Sequence, residues 1–308
     1  MKALALLCLC SLLAGCANFI TTTDDEMVVK VAPPPVDGMP IPKKKILALR
    51  FVSKSRTGGD DLKFYATDKV TAAFQDQTDL VIVPQTEVEG NENFINEVGE
   101  YDLPFILEKA RDRNIAGVLL GTIESVKVRQ TGDESGLFRM REFTVEATAR
   151  VQIIDAATGR EIFSKLATAE VTEEHTDFLN DRTLSSYDAE HGRGALGRAI
   201  DKINPELPIF AHKLAWSGRI AKVDLRRYYI NAGEQTGLTR GQILKVFEDS
   251  QAIYDPETHA LLGMAPGRCK GLLKVVDYFG ADGAVAIVYS GGGFKERDRV
   301  EYTYSAQD

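Results

Sequence analysis

The chain has 308 residues, with 37 lysines and arginines against 45 aspartates and glutamates and a formal net charge of −8. That balance excludes the basic footprint of a nucleic-acid-binding protein. Its 44% hydrophobic content is that of an ordinary globular protein, and its length allows one large domain or two smaller ones.

Met1-Lys2 carries one positive charge, and Ala3 to Ala14 is apolar apart from Ser11. The run is shorter than the roughly 20 residues that span a bilayer as a helix, and it fits the apolar segment of a secretory signal peptide over residues 1–15. Leu13-Ala14-Gly15-Cys16 closes it and resembles a bacterial lipobox, in which the cysteine is diacylated, exposed by cleavage and acylated again. The chemistry needs a thiol to accept the diacylglycerol and small residues for the peptidase to approach. Three acyl chains exceed the two signals that stable anchoring requires. Ala17 follows where enteric lipoproteins retained in the inner membrane carry Asp, so the resemblance implies the periplasmic face of the outer membrane. Removing the signal removes Lys2 and no acid, taking the formal charge from −8 to −9. Cys8 and Cys10 leave with it and Cys16 is consumed by lipid, so Cys269 is left without a disulfide partner. In its strand-like setting Cys269 is expected to be a small buried apolar residue.

Residues 16–44 read as the lipidated cysteine and a tether, polar at TTTDDE and extended at Pro33-Pro34-Pro35. At ~3.3 Å per residue, the 26 residues from Ala17 to Pro42 reach at most about 90 Å. Lys43-Lys44-Lys45 reads as a solvated entry to a mostly buried strand, Ile46 to Val52. After a loop to Gly59, Asp60 or Asp61 is expected to cap a helix whose Leu62, Tyr65, Ala66, Val70, Ala73 and Phe74 share one face. Leu80 to Val83 is the next strand, stopped by Pro84, and Glu87 to Glu100 is acidic and aperiodic. Asp102 caps a second helix with Pro104 in its first turn and Asn114 at its end. Ala116 to Val128 is a third strand, leading into a hairpin through Gly132 and Gly136.

The longest regular pattern follows. Val145, Ala147, Ala149, Val151 and Ile153 alternate with polar residues, the period of a strand with one buried face. Asp155-Ala-Ala-Thr-Gly159 turns the chain, and Phe163, Lys165, Ala167, Ala169 and Val171 carry the return strand. An acidic loop is expected from there to Gly194, then a helix with Leu196, Ala199, Ile200 and Ile203 on one stripe, interrupted at Pro205 and Pro208. Residues 45–216 therefore predict a mixed sheet backed by helices. Within them KKKILALRFV, DLVIVPQTEV, ARDRNIAGVLLGTIESVKV and ARVQIIDAATGREI resemble the curli-secretion lipoprotein family CsgG and the amino-terminal domain of TolB, although Asn114-Ile115-Ala116 stands where that family has Gly-Ala-Asp.

From Ser217 the segments shorten and glycines multiply, so residues 217–308 predict a small β-barrel or sandwich and the whole chain an α+β unit followed by an all-β one. Ile230-Asn-Ala-Gly233 with Gly237-Leu-Thr-Arg-Gly-Gln-Ile-Leu244 resembles the carboxy-terminal domain of the flagellar H-ring protein FlgT, with Gln242 in place of an acid. Asp255 to Thr258 with Leu262-Gly263 resembles the hairpin that follows there, and Arg297-Asp-Arg-Val300 its closing strand. Trp216, the single tryptophan, is expected to plug the junction between the two units.

Catalytic chemistry is not in evidence. Gly291-Gly-Gly293 lacks the Gly-Lys-[Ser/Thr] and helix of a phosphate loop and reads as a turn. His175, His191, His212 and His259 are too far apart in sequence for a metal motif. Glu173, Glu174, His175 and Asp177 are the nearest approach to a cation site. No nucleophile elbow is present. Neither an enzyme, a metal nor another cofactor is expected. A transmembrane pore is not expected either: Lys127, Arg129, Asp133, Glu134, Arg139, Arg141 and Glu142 crowd the one candidate hairpin, which precludes a lipid-facing band. The resemblances imply a non-enzymatic outer-membrane lipoprotein that assembles with periplasmic proteins or with copies of itself, as a ring or scaffold of an envelope-spanning machine, most plausibly flagellar. They leave two alternatives open, a lipoprotein activator of a cell-wall synthase and a curli-type export component.

Overall fold

The computed structural model describes residues 41–89, 93–132, 138–178, 189–259, 261–265 and 267–302. Its first part is one six-stranded mixed sheet. β1 (Lys44–Ala48) lies between β3 (Leu80–Pro84) and β4 (Ile115–Gly132), parallel to both, and the short β2 (Val52–Ser53) also pairs with β4. β5 (Phe138–Asp155) and β6 (Glu161–Phe178) extend it as an antiparallel meander, giving the order β3-β1-β4-β5-β6.

Two patterns of apolar residues correspond to two kinds of covering. β1 reads as continuously apolar because both its faces are covered. Ile46 and Ala48 pack toward α1 (Gly59–Thr71), α4 (Ala189–Asp201) and α5 (Leu207–Ala211), while Leu47 and Leu49 pack toward α3 (Leu103–Asp112). β5 alternates because over most of its length a helix covers one face alone: Val145, Ala147, Ala149, Val151 and Ile153 are buried, and opposite them on β6 stand Val171, Ala169, Ala167, Lys165 and Phe163. Alanine at four of these positions lets α4 approach closely with its own Ala195 and Gly194, where a Cβ would lie 3.3 Å from a Val171 methyl, while Gly197 makes room for Tyr65 of α1.

Local signals act as expected in α3, where Asp102 accepts a hydrogen bond from the Phe105 N–H at 3.3 Å, and Asn114 takes a left-handed φ of 58° just past the helix end. Others are corrected. Gly58, in a left-handed conformation, caps α1, and Asp60 and Asp61 instead pair with Lys63 and Arg193. Lys44 is buried rather than solvated, its Nζ donating to the His212 carbonyl at 2.7 Å; burial pulls its pKa down against the raising effect of Asp79. The acidic stretch after Pro84 contains the short α2 (Gln85–Glu89), with Val88 and Phe94 buried against α3. The segment after Val171 is strand as far as Phe178, and α4 begins at Ala189, before Gly194.

The second part is a closed barrel in the order β12-β13-β8-β7-β14-β9. Its strands are β7 (Ser217–Asp224), β8 (Arg227–Ile230), β9 (Ile243–Phe247), β12 (Cys269–Phe279), β13 (Gly283–Gly291) and β14 (Arg299–Tyr302). The inserted β10 (Gln251–Tyr254) and β11 (Leu261–Ala265) form a separate hairpin. Leu244, Val246, Leu273, Val275, Ala284 and Ala286 fill the interior, and Trp216 packs into this same core. Gln242 is buried and its side-chain carbonyl accepts from the Thr239 N–H at 3.0 Å, so it braces the turn without a charge.

Candidate interaction surfaces

Cys16 and the hairpin acids Asp133 and Glu134 lie outside the described residues. Cys269 does not behave as expected: it is exposed, because it stands at the first residue of β12, before the strand turns its side chains into the core. The side chains of Glu174, His175 and Asp177, three of the four residues of the acidic cluster, also lie outside the described residues. His212 is held between Asp79, 3.0 Å from Nδ1, and Gln77, 3.0 Å from Nε2, while His191 meets the Glu173 carboxylate. Among the described residues no group of three or more His, Cys, Asp or Glu is placed to hold a metal, and no helix is long and apolar enough to cross a membrane. Gly291 and Gly293 take φ of 78° and 70° in the turn that leads to β14.

The first unit presents a sheet edge and a polar sheet face. The outer edge of β6 presents backbone carbonyls with no further strand to satisfy them. Two cations reach over it, one from α4 and one just past its end: Arg198 Nη1 donates to the Glu170 carbonyl at 3.1 Å and Lys202 Nζ to the Thr168 carbonyl at 2.6 Å. They line a depression of about 400 Å³ with Glu146, Thr168, Ala169 and Glu170. The uncovered sheet face is polar and internally paired. Thr144–Thr172 and Thr148–Thr168 hydroxyls lie 3.1 and 2.9 Å apart, and Glu146 meets Arg129 at 3.0 Å and Lys127 at 3.7 Å. Glu124 lies between Lys54 and Arg150, and the Lys54 hydrogen bond, followed by that of Arg150, holds its carboxyl below the usual range.

Polar contacts join the two parts. Asn114 Nδ2 donates to the Asn231 carbonyl at 2.6 Å, and Lys43 N–H donates to the Thr236 carbonyl at 2.7 Å. Arg219, nearly buried, lies 3.5 Å from Asp112 and 3.2 Å from Asp249, and Arg297 approaches the same two acids. Arg111 is pulled below its usual pKa by burial and then by Arg219. The β10–β11 hairpin reaches back to the turn after β5, where Met264 N–H donates to the Thr158 carbonyl at 3.1 Å.

No family model matches the chain, and no curated protein matches it. Among solved structures it is similar to a lipoprotein from Neisseria meningitidis at 14% identity and a TM-score of 0.31, covering 54% of this chain and 99% of that one. It is similar to PelC from Paraburkholderia phytofirmans, solved as a dodecamer, at 14% identity and a TM-score of 0.27, covering 53% and 88%. A minor lipoprotein from Acinetobacter baumannii aligns at 15% identity and a TM-score of 0.26, covering 57% and 96%.

Proposed function

We propose that this chain is an outer-membrane lipoprotein, held on the periplasmic face by acyl chains on Cys16, and that it serves as a non-enzymatic scaffold or ring component of an envelope-spanning assembly. The observation that carries the reading is the Leu13-Ala14-Gly15-Cys16 lipobox behind an apolar leader, followed by a Pro-rich tether. The CsgG- and TolB-like phrases of the first unit and the FlgT-like phrases of the second support a basal-body setting. In this reading lipid fixes the membrane, the tether sets the reach, and the exposed strand edges and barrel loops contact neighbours. The sheet leaves β3 and β6 as its two edge strands; Arg198 and Lys202 already occupy the Glu170 and Thr168 carbonyls of β6, so β3 is the edge where a neighbour can add without displacing side chains. Mass spectrometry of the amino-terminal peptide from membrane-extracted protein tests the anchor. Three acyl chains on Cys16, and release of a Cys16→Ala variant from the membrane fraction, are the expected results; an unmodified Cys16 in a soluble protein contradicts the reading.

A further inference from the structure

The β7–β8 turn carries a residue that the barrel fold alone does not account for. Leu225 is 94% exposed and sits in the left-handed region at φ 53°. Glycine or asparagine takes that conformation at lower cost, and leucine gains nothing from burial there. A position that is strained and also exposes its apolar side chain points to a use outside the fold.

The surroundings extend the patch. β13 pairs with β8 through Ala284–Ile230, Val285–Tyr229 and Ala286–Tyr228, an antiparallel register that carries its next residues toward the β7–β8 turn. Those residues, Ile287, Val288 and Tyr289, are 40, 41 and 50% exposed. Lys222, Arg226 and Arg227 flank Leu225, and Lys274 pairs across from Ile287; all four are exposed and none is held in an ion pair among the described residues. Asp224 and Glu296 are the neighbouring acids, and Glu296 accepts from the Val223 N–H at 3.3 Å. The chain as a whole is acidic at −8, so an apolar tip rimmed by unpaired cations is a local departure.

We propose that this end of the barrel docks onto an anionic phospholipid surface, with Leu225 entering the headgroup layer, Ile287 to Tyr289 lying against it and the four cations meeting lipid phosphates. Apolar insertion with basic flanks is the chemistry of interfacial binding. The tether permits it. The chain enters at Ile41–Lys43 beside Thr236 and Gly237, beyond the far end of β8 from the turn. β7, with eight residues, is about 26 Å long, well within the tether's reach of about 90 Å. The inference complements the anchored-lipoprotein reading without needing it, because the patch is complete in the unacylated chain.

The test uses the full mature chain with Cys16→Ser, so that no acyl chain contributes. Co-sedimentation is measured with vesicles of phosphatidylcholine alone and of phosphatidylcholine with phosphatidylglycerol, up to millimolar lipid. Binding to the anionic vesicles at least tenfold tighter than to the neutral ones is expected. It should fall at least tenfold in Leu225→Asp and in Arg226→Glu/Arg227→Glu, and weaken as salt is raised. Leu225→Asn separates docking from folding: it should lose binding while melting no lower than the parent. Equal binding to both vesicles, no binding to either, or full binding by Leu225→Asp overturns the proposal. Failure of the anchor reading would appear instead as unacylated Cys16 in membrane extracts, with the vesicle result unchanged.

Discussion

Replacing Gly233 by alanine tests how tightly the barrel is closed. Gly233 stands where β8 hands over to the loop before β9, and its N–H donates to Asp282 Oδ1 at 2.9 Å. A Cβ placed there would lie 2.8 Å from both the backbone nitrogen and the carbonyl oxygen of Gly283. Ordinary contact begins at 3.4 Å, so the start of β13 must retreat by about 0.6 Å, the difference between 3.4 and 2.8 Å. That backbone is tied to β8 by the Ala284–Ile230 pair and to β12 by Phe279–Gly283. No side chain can turn aside to absorb the shift, so Gly233→Ala should cost about 1–3 kcal/mol, the usual range for overpacking. In a unit of 60–100 residues that lowers the melting temperature by at least about 4 °C. Gly292→Ala is the control, since its Cβ meets nothing within 4 Å and its φ is not positive; it should be neutral or slightly stabilising. Scanning calorimetry of both variants gives the answer. A Gly233→Ala transition no lower than that of Gly292→Ala would refute the claim that these two backbones are in contact.

Further outcomes follow from other contacts in the structure. Asp298 is 5% exposed, takes Lys270 Nζ at 2.8 Å on both oxygens and accepts from Lys295 N–H at 2.7 Å, so Asp298→Ala should destabilise the fold by about 3–5 kcal/mol in denaturant titrations. Leu225→Asn relieves a left-handed leucine and should raise stability by about 1 kcal/mol in the same assay. Two glutamates should show opposite pH dependence. Glu124, held down first by Lys54, contributes stability above its ordinary value of 4.5 that is lost as pH falls through its lowered folded value, so Glu124→Gln destabilises at neutral pH and not in acid. Glu301, raised by burial against the lowering effect of Arg299, contributes below 4.5 and loses that contribution as pH rises through its folded value; Glu301→Gln should therefore gain on the parent as pH is raised. Finally, Cys269 is exposed, so a thiol reagent should label native acylated protein once, at Cys269, and a mature chain that begins at Cys16 without acyl groups also at Cys16.

The elements read from sequence were those in which one physical cause dominates. The β5 alternation is visible because a single helix layer covers a single face, and Asp102, Pro104 and Asn114 mark α3 because capping is local. The missed features depend on partners distant in sequence. Nothing near Phe94 signals that α3 will cover it, and α4 starts before Gly194 because Leu196, Ala199 and Ile200 bury the helix whatever its glycines cost. Asp60 and Asp61 look like caps in isolation, but a left-handed Gly58 occupies that position and the acids are free to pair with Lys63 and Arg193. Cys269 departs from its expected burial because exposure changes within one strand: Cys269 is exposed, while Leu272 and Leu273 are fully buried. The cations over the β6 edge and the strained Leu225 are surface features with no periodicity, and pattern reading passes over them.

Whether the proposed lipid-anchored scaffold assembles with copies of itself can be read from the native mass and negative-stain images of the full lipidated protein extracted in mild detergent. A closed ring of many copies is the expected result. A homogeneous monomer would rule out self-assembly and favour a one-to-one partner of a periplasmic enzyme.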